Sequence, residues 1–298
     1  MDASILLEIA PVFMTYYLAA LGHGFFEKSG VLNLAIDGIF VLSVAVTFAV
    51  AVYTVNPWLA LTAAVVVSML FGVLLAYLTT KFPISHGAAG LSLMFLGYGL
   101  AAIVGRPARE YQGSTGVSGF AFPEDPLTKT LMYAIPIIVG VILLFILNKT
   151  KLGVAIRAAG ENPYAAAALG VDVLKIRLIA GIIGYSLIGA GGASFVLAWL
   201  PLWSEGHGLN HGWLAFAISL SAGRHPLLTI ISAGIFAGLV KYQYSLLAAY
   251  GLSTDVAKMI PFIAAILAIV IFNVTPLKRK LAPPASLGKI YFKEEKTV

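Results

Sequence analysis

No cysteine occurs in the 298-residue chain. That excludes a disulfide framework, thiolate-bound zinc, iron–sulfur clusters and thiol nucleophiles. Charge is scarce as well. Asp, Glu, Lys and Arg make up 11% of the residues, against about 25% in an average soluble domain. Several signature motifs are missing. There is no G-x-x-x-x-G-K-[ST] to cradle ATP phosphates, no H-E-x-x-H and no G-x-S-x-G. With no convincing nucleophile–base set, the chain is not expected to be an enzyme. A cleavable signal needs a basic n-region. Here the first charges are Asp2 and Glu8 and the first Lys is Lys28, so residues 4–26 read as a retained membrane helix.

What is abundant is apolar. Hydrophobic residues are 60% of the chain, and the mean hydropathy is +0.94. A soluble fold cannot hide that much apolar surface, so lipid is the solvent for most of the chain. Length alone would suggest about two soluble domains. Composition replaces that with one polytopic domain over 1–275 and a basic tail over 276–298. The net charge of +6 fits basic cytoplasmic loops better than nucleic acid, which is not expected as a partner.

A span needs about 20 mostly apolar residues. The candidates are 4–26, 31–55, 57–80, 84–104, 131–148, 178–200, 226–247 and 256–275, with a short piece at 208–222. The fold expected is an all-α integral membrane protein of 8 or 9 segments. The short piece reads as a re-entrant or half-length helix, allowed only where protein or water covers its backbone ends. Nine crossings place the N-terminus outside; eight, with a re-entrant piece, move it inside or shift a boundary. The segments VLNLAIDGIFVLSVA (31–45) and GLNHGWLAFAISLSA (208–222) share a Leu-Asn, a Gly and an apolar run ending near Ser. Internal duplication explains this, and so does chance between apolar helices. The basic residues of 149–177 and of the tail place both on the cytoplasmic side.

The loop 149–177 is the most informative stretch. Asn162 can cap a helix, Pro163 suits its first position, four alanines fill it and Gly170 stops it. The product is a compact helix of small residues, suited to close docking. Inside the apolar segments, Asp37 and Lys241 each need a partner, water or a nearby interface. They can pair with each other, or Asp37 can sit near one interface while Lys241 snorkels to the other. Asn33 can cap the helix that follows or line a pathway. Trp203 and Trp213 suit an aromatic belt or a stacking platform for a solute. His207 and His211 read as loop histidines at the membrane surface, because no third metal ligand follows at helical spacing. No bound metal is expected.

Three stretches carry a resemblance. TKLGVAIRAAGENPYAAAALGV (150–171), EKSGVLNLAIDGIF (27–40) and HGWLAFAISLSAGRHPL (211–227) are similar, in order and spacing, to motifs of ABC importer permeases of the branched-chain amino acid/ribose/nucleoside family. Two positions depart from the pattern: Asp37 stands where Glu is usual, and His225-Pro226 where Asn-Pro is usual. Asn33 followed by Asp37-Gly38 looks more like the nucleoside and simple-sugar branch than the amino-acid branch. The resemblance implies a membrane-spanning subunit that forms the translocation pathway for a small polar solute. ATP would be bound and hydrolysed on a separate ATPase touching Gly160, Glu161, Asn162, Pro163, Ala166 and Gly170. An extracytoplasmic solute-binding protein and a second permease chain, identical or related, complete the set of partners. The setting implied is the cell membrane of a bacterium or archaeon, and Asn33, Asp37, Lys241, Trp203 and Trp213 are the pathway candidates. The alternative is a self-sufficient ion-coupled transporter with Asp37 as its coupling site.

Overall fold

The computed structural model describes residues 3–116, 119–251, 253–275 and 281–292. Among the described residues every regular element is helical. Helices α1 (Ala3–Glu27), α2 (Ile36–Thr54), α3 (Pro57–Lys81), α4 (His86–Thr115) and α5 (Pro126–Lys149) form the first half. Two short helices follow, α6 (Lys151–Glu161) and α7 (Pro163–Ala168). Next come α8 (Val173–Ser194), which runs on into a π turn over Phe195–Trp199, α9 (His211–Ser221), α10 (Pro226–Tyr250) and α11 (Thr254–Val274). Seven helices are long and apolar enough to cross a membrane, and α11 adds a shorter apolar run, Met259–Val274.

One piece of chemistry starts several of these helices. Asn56 accepts from the Trp58 and Leu59 N–H groups ahead of Pro57, and Asp125 accepts from Thr128 ahead of Pro126. A capping side chain satisfies an orphan donor, and Pro at the first position gives up an N–H that had no partner anyway.

The bundle is layered by burial. α2 is covered almost all round, by α3, α4, α8 and α9, while α1 packs on α5, α8, α9 and α10. The outer helices turn bulky apolar side chains outward, among them Phe95, Ile103, Ile138 and Phe145. That is the surface lipid requires.

Contacts along α1 fix the threading. Tyr16 meets His211, and Gly24 lies against Ser219 and Arg224, so α9 runs beside α1 in the same direction. The far end of α11 returns to that same face, where Phe272 and Leu281 pack on Gly223. The described residues thus pass between the two faces nine times: on seven long helices, on α11, and on α9 with the irregular stretch 200–210 leading into it. The start of α1 lies on the face opposite α7.

Several boundaries differ from those expected. Residues 31–35 are not helical, and α2 starts at Ile36. α4 continues to Thr115, well beyond 104, and α5 starts at Pro126 rather than 131. Arg106 and Glu110, an i,i+4 pair 3.6 Å apart on this extension, explain how a charged stretch stays helical. Of the tail, Lys278, Arg279, Lys280, Lys293 and Lys296 lie outside the described residues.

Candidate functional site

The half-length helix α9 is the centre of the site. Its 11 residues span only about 16 Å, so both ends lie inside the protein, where unsatisfied backbone groups are costly. Asp37 settles the N-terminal end. Its carboxylate accepts the Asn210 N–H at 3.2 Å and the Trp213 N–H at 3.1 Å. Tyr98 donates its hydroxyl to the same carboxylate at 2.5 Å. Asn210 has a positive φ of 70° and gives no side-chain cap of its own, so the cap comes from another helix. Close approach makes this possible: a Cβ on Gly212 would overlap the Asp37 backbone, and one on Gly38 would overlap Met94 of α4.

The C-terminal end is closed by an ion pair. Arg224, at φ 57° in the α9–α10 turn, donates Nε to Glu27 Oε2 at 2.5 Å. Glu27 is fully buried, lies 3.3 Å from His23 Nε2, and accepts the Asn33 N–H at 3.2 Å. Asn33 in turn accepts the Tyr185 hydroxyl at 2.7 Å. Two of the three ordered motifs therefore meet, through Glu27, Asn33 and Asp37 from one and through Gly212, Trp213 and Arg224 from the other.

Aromatic rings surround the start of α9. His211 shares a hydrogen bond with the Tyr16 hydroxyl at 2.6 Å and lies 4.8 Å from the Phe195 ring and 5.6 Å from the Trp199 ring. The π turn delivers those two rings; one wide backbone turn re-aims the end of α8 toward the break. A cavity of about 260 Å³ opens here, with Tyr16, Asn210, His211, Gln243 and Phe262 in its wall. Gln243 is nine-tenths buried and its Oε1 has no partner among the described residues.

Other candidates lie elsewhere. Asp37 and Lys241 do not pair: Lys241 lines a separate cavity with Glu8, Glu124, Lys129 and Trp199. Asp37 is fully buried rather than interfacial. Asn33 does not cap α2, whose N-cap position is Ala35 without a side-chain bond. Trp203 is 4% exposed and packs where a Cβ on Gly105 would sit, so it is a core residue rather than a free platform. Trp213 is half-buried beside Asp37. His211 belongs to the buried break, not to the membrane surface. His207, in the loop just before α9, packs its ring 5.0 Å from that of Phe195.

The second feature is the loop helix. Asn162 accepts the Ala165 N–H at 3.0 Å, Pro163 opens the helix, and Gly170 follows it at φ 87°. Its faces differ. Pro163 and Ala166 are buried, Ala166 against Ala159, Val173 and Tyr291. Ala165 and Ala168 face outward, and Leu169 is 86% exposed. Ala166 is thus part of the internal packing of the loop. Glu161 turns to the Ala285 N–H, 3.1 Å away. A groove of about 470 Å³ runs beside the helix, lined by Lys81, Ala167, Gly170, Asp172 and Tyr291 among others.

Sequence reasoning passed over Glu27, Arg224, Tyr98 and Arg177. Glu27 and Arg224 were visible as charges at segment breaks, and their common feature is membership of two of the recurring motifs. Nothing local marks Tyr98, which acts only across helices.

Known proteins can now be set beside this geometry. The chain is 27% identical over 320 aligned residues to a guanosine ABC transporter permease protein of Bacillus subtilis, covering 97% of this chain and 98% of that one. It is 23% identical to a nucleoside ABC transporter permease protein of Lactococcus lactis, with 98% and 96% covered. A Haloferax volcanii chain, named as a candidate glucose ABC transporter permease protein, is 30% identical over 232 residues, 74% of this chain and 70% of its own. No solved structure matches the chain. The permeases among these relatives are transport subunits, and this chain too is a membrane permease rather than an enzyme. The model of the permease component of the branched-chain amino acid transport system matches residues 5–271, so the chain belongs to that family of ABC transporter permeases.

Proposed function

We propose that this chain is the membrane-spanning subunit of an importer for an uncharged small solute, a nucleoside or simple sugar, driven by a separate ATPase. The observation that carries the solute class is the cap on α9. A half-helix pointing its N-terminus into a transporter presents partial positive charge, suited to a carboxylate-bearing solute. Here Asp37 already occupies that end. What faces the neighbouring cavity is neutral and aromatic: Tyr16, His211, Gln243 and Phe262. Such walls stack a flat ring and hydrogen-bond its edge without demanding charge. The names of the relatives from Bacillus and Lactococcus agree with the nucleoside branch.

On this reading α7 and Leu169 meet the ATPase on the cytoplasmic side of the cell membrane. The solute-binding protein delivers at the opposite face, and a second permease chain completes the pathway. The bundle then alternates between outward and inward openings. The ion-coupled alternative is not favoured, because the Asp37 carboxylate is engaged by Tyr98, Asn210 and Trp213.

The test is uptake by proteoliposomes holding this chain with a co-expressed ATPase and binding protein. Radiolabelled guanosine and glucose are compared with leucine. ATP-dependent uptake of a neutral solute and not of leucine is the expected result. Uptake of leucine alone overturns the solute class, and uptake without any ATPase overturns the importer reading.

A further inference from the structure

The segment after α11 does more than end the chain. Ser286 donates both its N–H, at 3.0 Å, and its hydroxyl, at 2.5 Å, to the Gly160 carbonyl. The Ala285 N–H reaches Glu161 Oε2 at 3.1 Å, and the Gly288 N–H reaches the Gly30 carbonyl at 3.1 Å. The Phe292 N–H donates to the Tyr164 hydroxyl at 3.4 Å. Tyr291 is 4% exposed, packed on Ala159, Ala166 and Val173. The Arg177 guanidinium stands 5.5 Å from the Tyr291 ring centroid. Arg177 itself is fully buried and donates Nε to the Ser29 carbonyl at 3.2 Å. One short stretch therefore touches α6, α7, the base of α8 and the turn after α1. The fit is close: a Cβ on Gly160 would overlap the Lys28 carbonyl and press on Pro284, and one on Gly30 would overlap Ser286.

A six-residue helix has almost no stability of its own, because nucleation is costly and propagation is short. Anything that pushes on α7 moves the bundle only if α7 is held stiffly to it. We propose that residues 284–292 form a strap that joins α7, the α1–α2 turn and the base of α8 into one rigid unit, with Tyr291 as its positioning residue. Motion delivered to α7 then reaches the membrane helices instead of being absorbed in the loop. This rests on α7 as the ATPase contact proposed above.

The test uses the full complex in proteoliposomes and reads solute taken up per ATP hydrolysed. Tyr291→Ala should leave the ATPase co-purifying while the ratio falls about five-fold or more, the low end of ordinary coupling effects. Tyr291→Phe, which keeps the ring, should stay within about two-fold of the parent, below that range. An unchanged ratio in Tyr291→Ala overturns the strap. So does loss of the ATPase from that complex, which would make Tyr291 part of the docking surface. If Tyr291→Ala does not fold, the cysteine-free chain offers a second reading. Ser286→Cys should react with maleimide about ten-fold or more slowly than Lys289→Cys, at rest and during turnover, as a packed segment demands. Equal rates overturn the proposal. Failure of the wild-type chain to retain any ATPase sinks the importer reading itself, whereas an intact complex with an unchanged ratio sinks only the strap.

Discussion

Replacing Asp37 with Asn tests the account of the broken helix most directly. The carboxylate accepts from three donors, at 2.5, 3.1 and 3.2 Å. A carboxamide has one acceptor oxygen, so its NH₂ group must face one of those donors. Losing one hydrogen bond to a charged group costs about 1.5–3 kcal/mol. Removing the negative charge from the end of α9 costs about 0.3–2 kcal/mol more. Asp37→Asn should therefore destabilise the chain by about 2–5 kcal/mol on those two scales, measured by unfolding in mixed micelles with increasing dodecyl sulfate and followed by circular dichroism. Asp37→Ala goes further and uncovers the helix end. Its stability should rise with chloride or acetate, which can occupy the vacated position, and the parent's should not. A change under about 0.5 kcal/mol in Asp37→Asn, typical of an uninvolved surface site, would refute the capping argument. Abolished uptake at unchanged stability would instead point to Asp37 as an ion site.

Three further outcomes follow from the geometry. Arg224→Met strands the Glu27 carboxylate and should cost about 3–5 kcal/mol, as breaking a buried pair does. Glu27→Gln/Arg224→Met should recover a measurable part in a double-mutant cycle, and a double variant no better than the single one counts against the pair. Asn162→Ala removes the cap of α7 and should cost about 1 kcal/mol, with weaker ATPase co-purification. Leu169→Arg should abolish that co-purification without changing the unfolding midpoint, whereas Ala166→Arg should lower the midpoint by overpacking.

The sequence announced its helices where composition is one-sided. Long apolar runs and the half-length segment 208–222 are local signals, and lipid as solvent makes them strong. The cap of α7 was legible for the same reason, since Asn162, Pro163 and Gly170 act within one loop. What stayed hidden was pairing across the bundle. Asp37 was visible as a buried acid, and Lys241 was the nearest complement by charge. The structure uses backbone N–H groups instead, which carry no letter in the sequence. The burial of Ala166 was hidden likewise, because the partner that covers it, Tyr291, arrives from a tail that reads as a plain basic extension. Whether 31–45 and 208–222 share an origin, the two segments meet physically through Asp37 and Gly212.

The closure of α9 also sets a schedule for synthesis. Glu27 enters the membrane with the first helix, but Arg224 is made 197 residues later. At about 5–20 residues per second that interval is roughly 10–40 s. Throughout it Glu27 has His23 and the Asn33 N–H beside it but lacks its guanidinium partner, and Asp37 lacks the Asn210 and Trp213 N–H groups. A nascent chain stalled before Asn210 therefore leaves both carboxylates short of donors that the finished fold supplies. The ion pair that closes α9 can form only after translation has passed the turn that supplies the arginine.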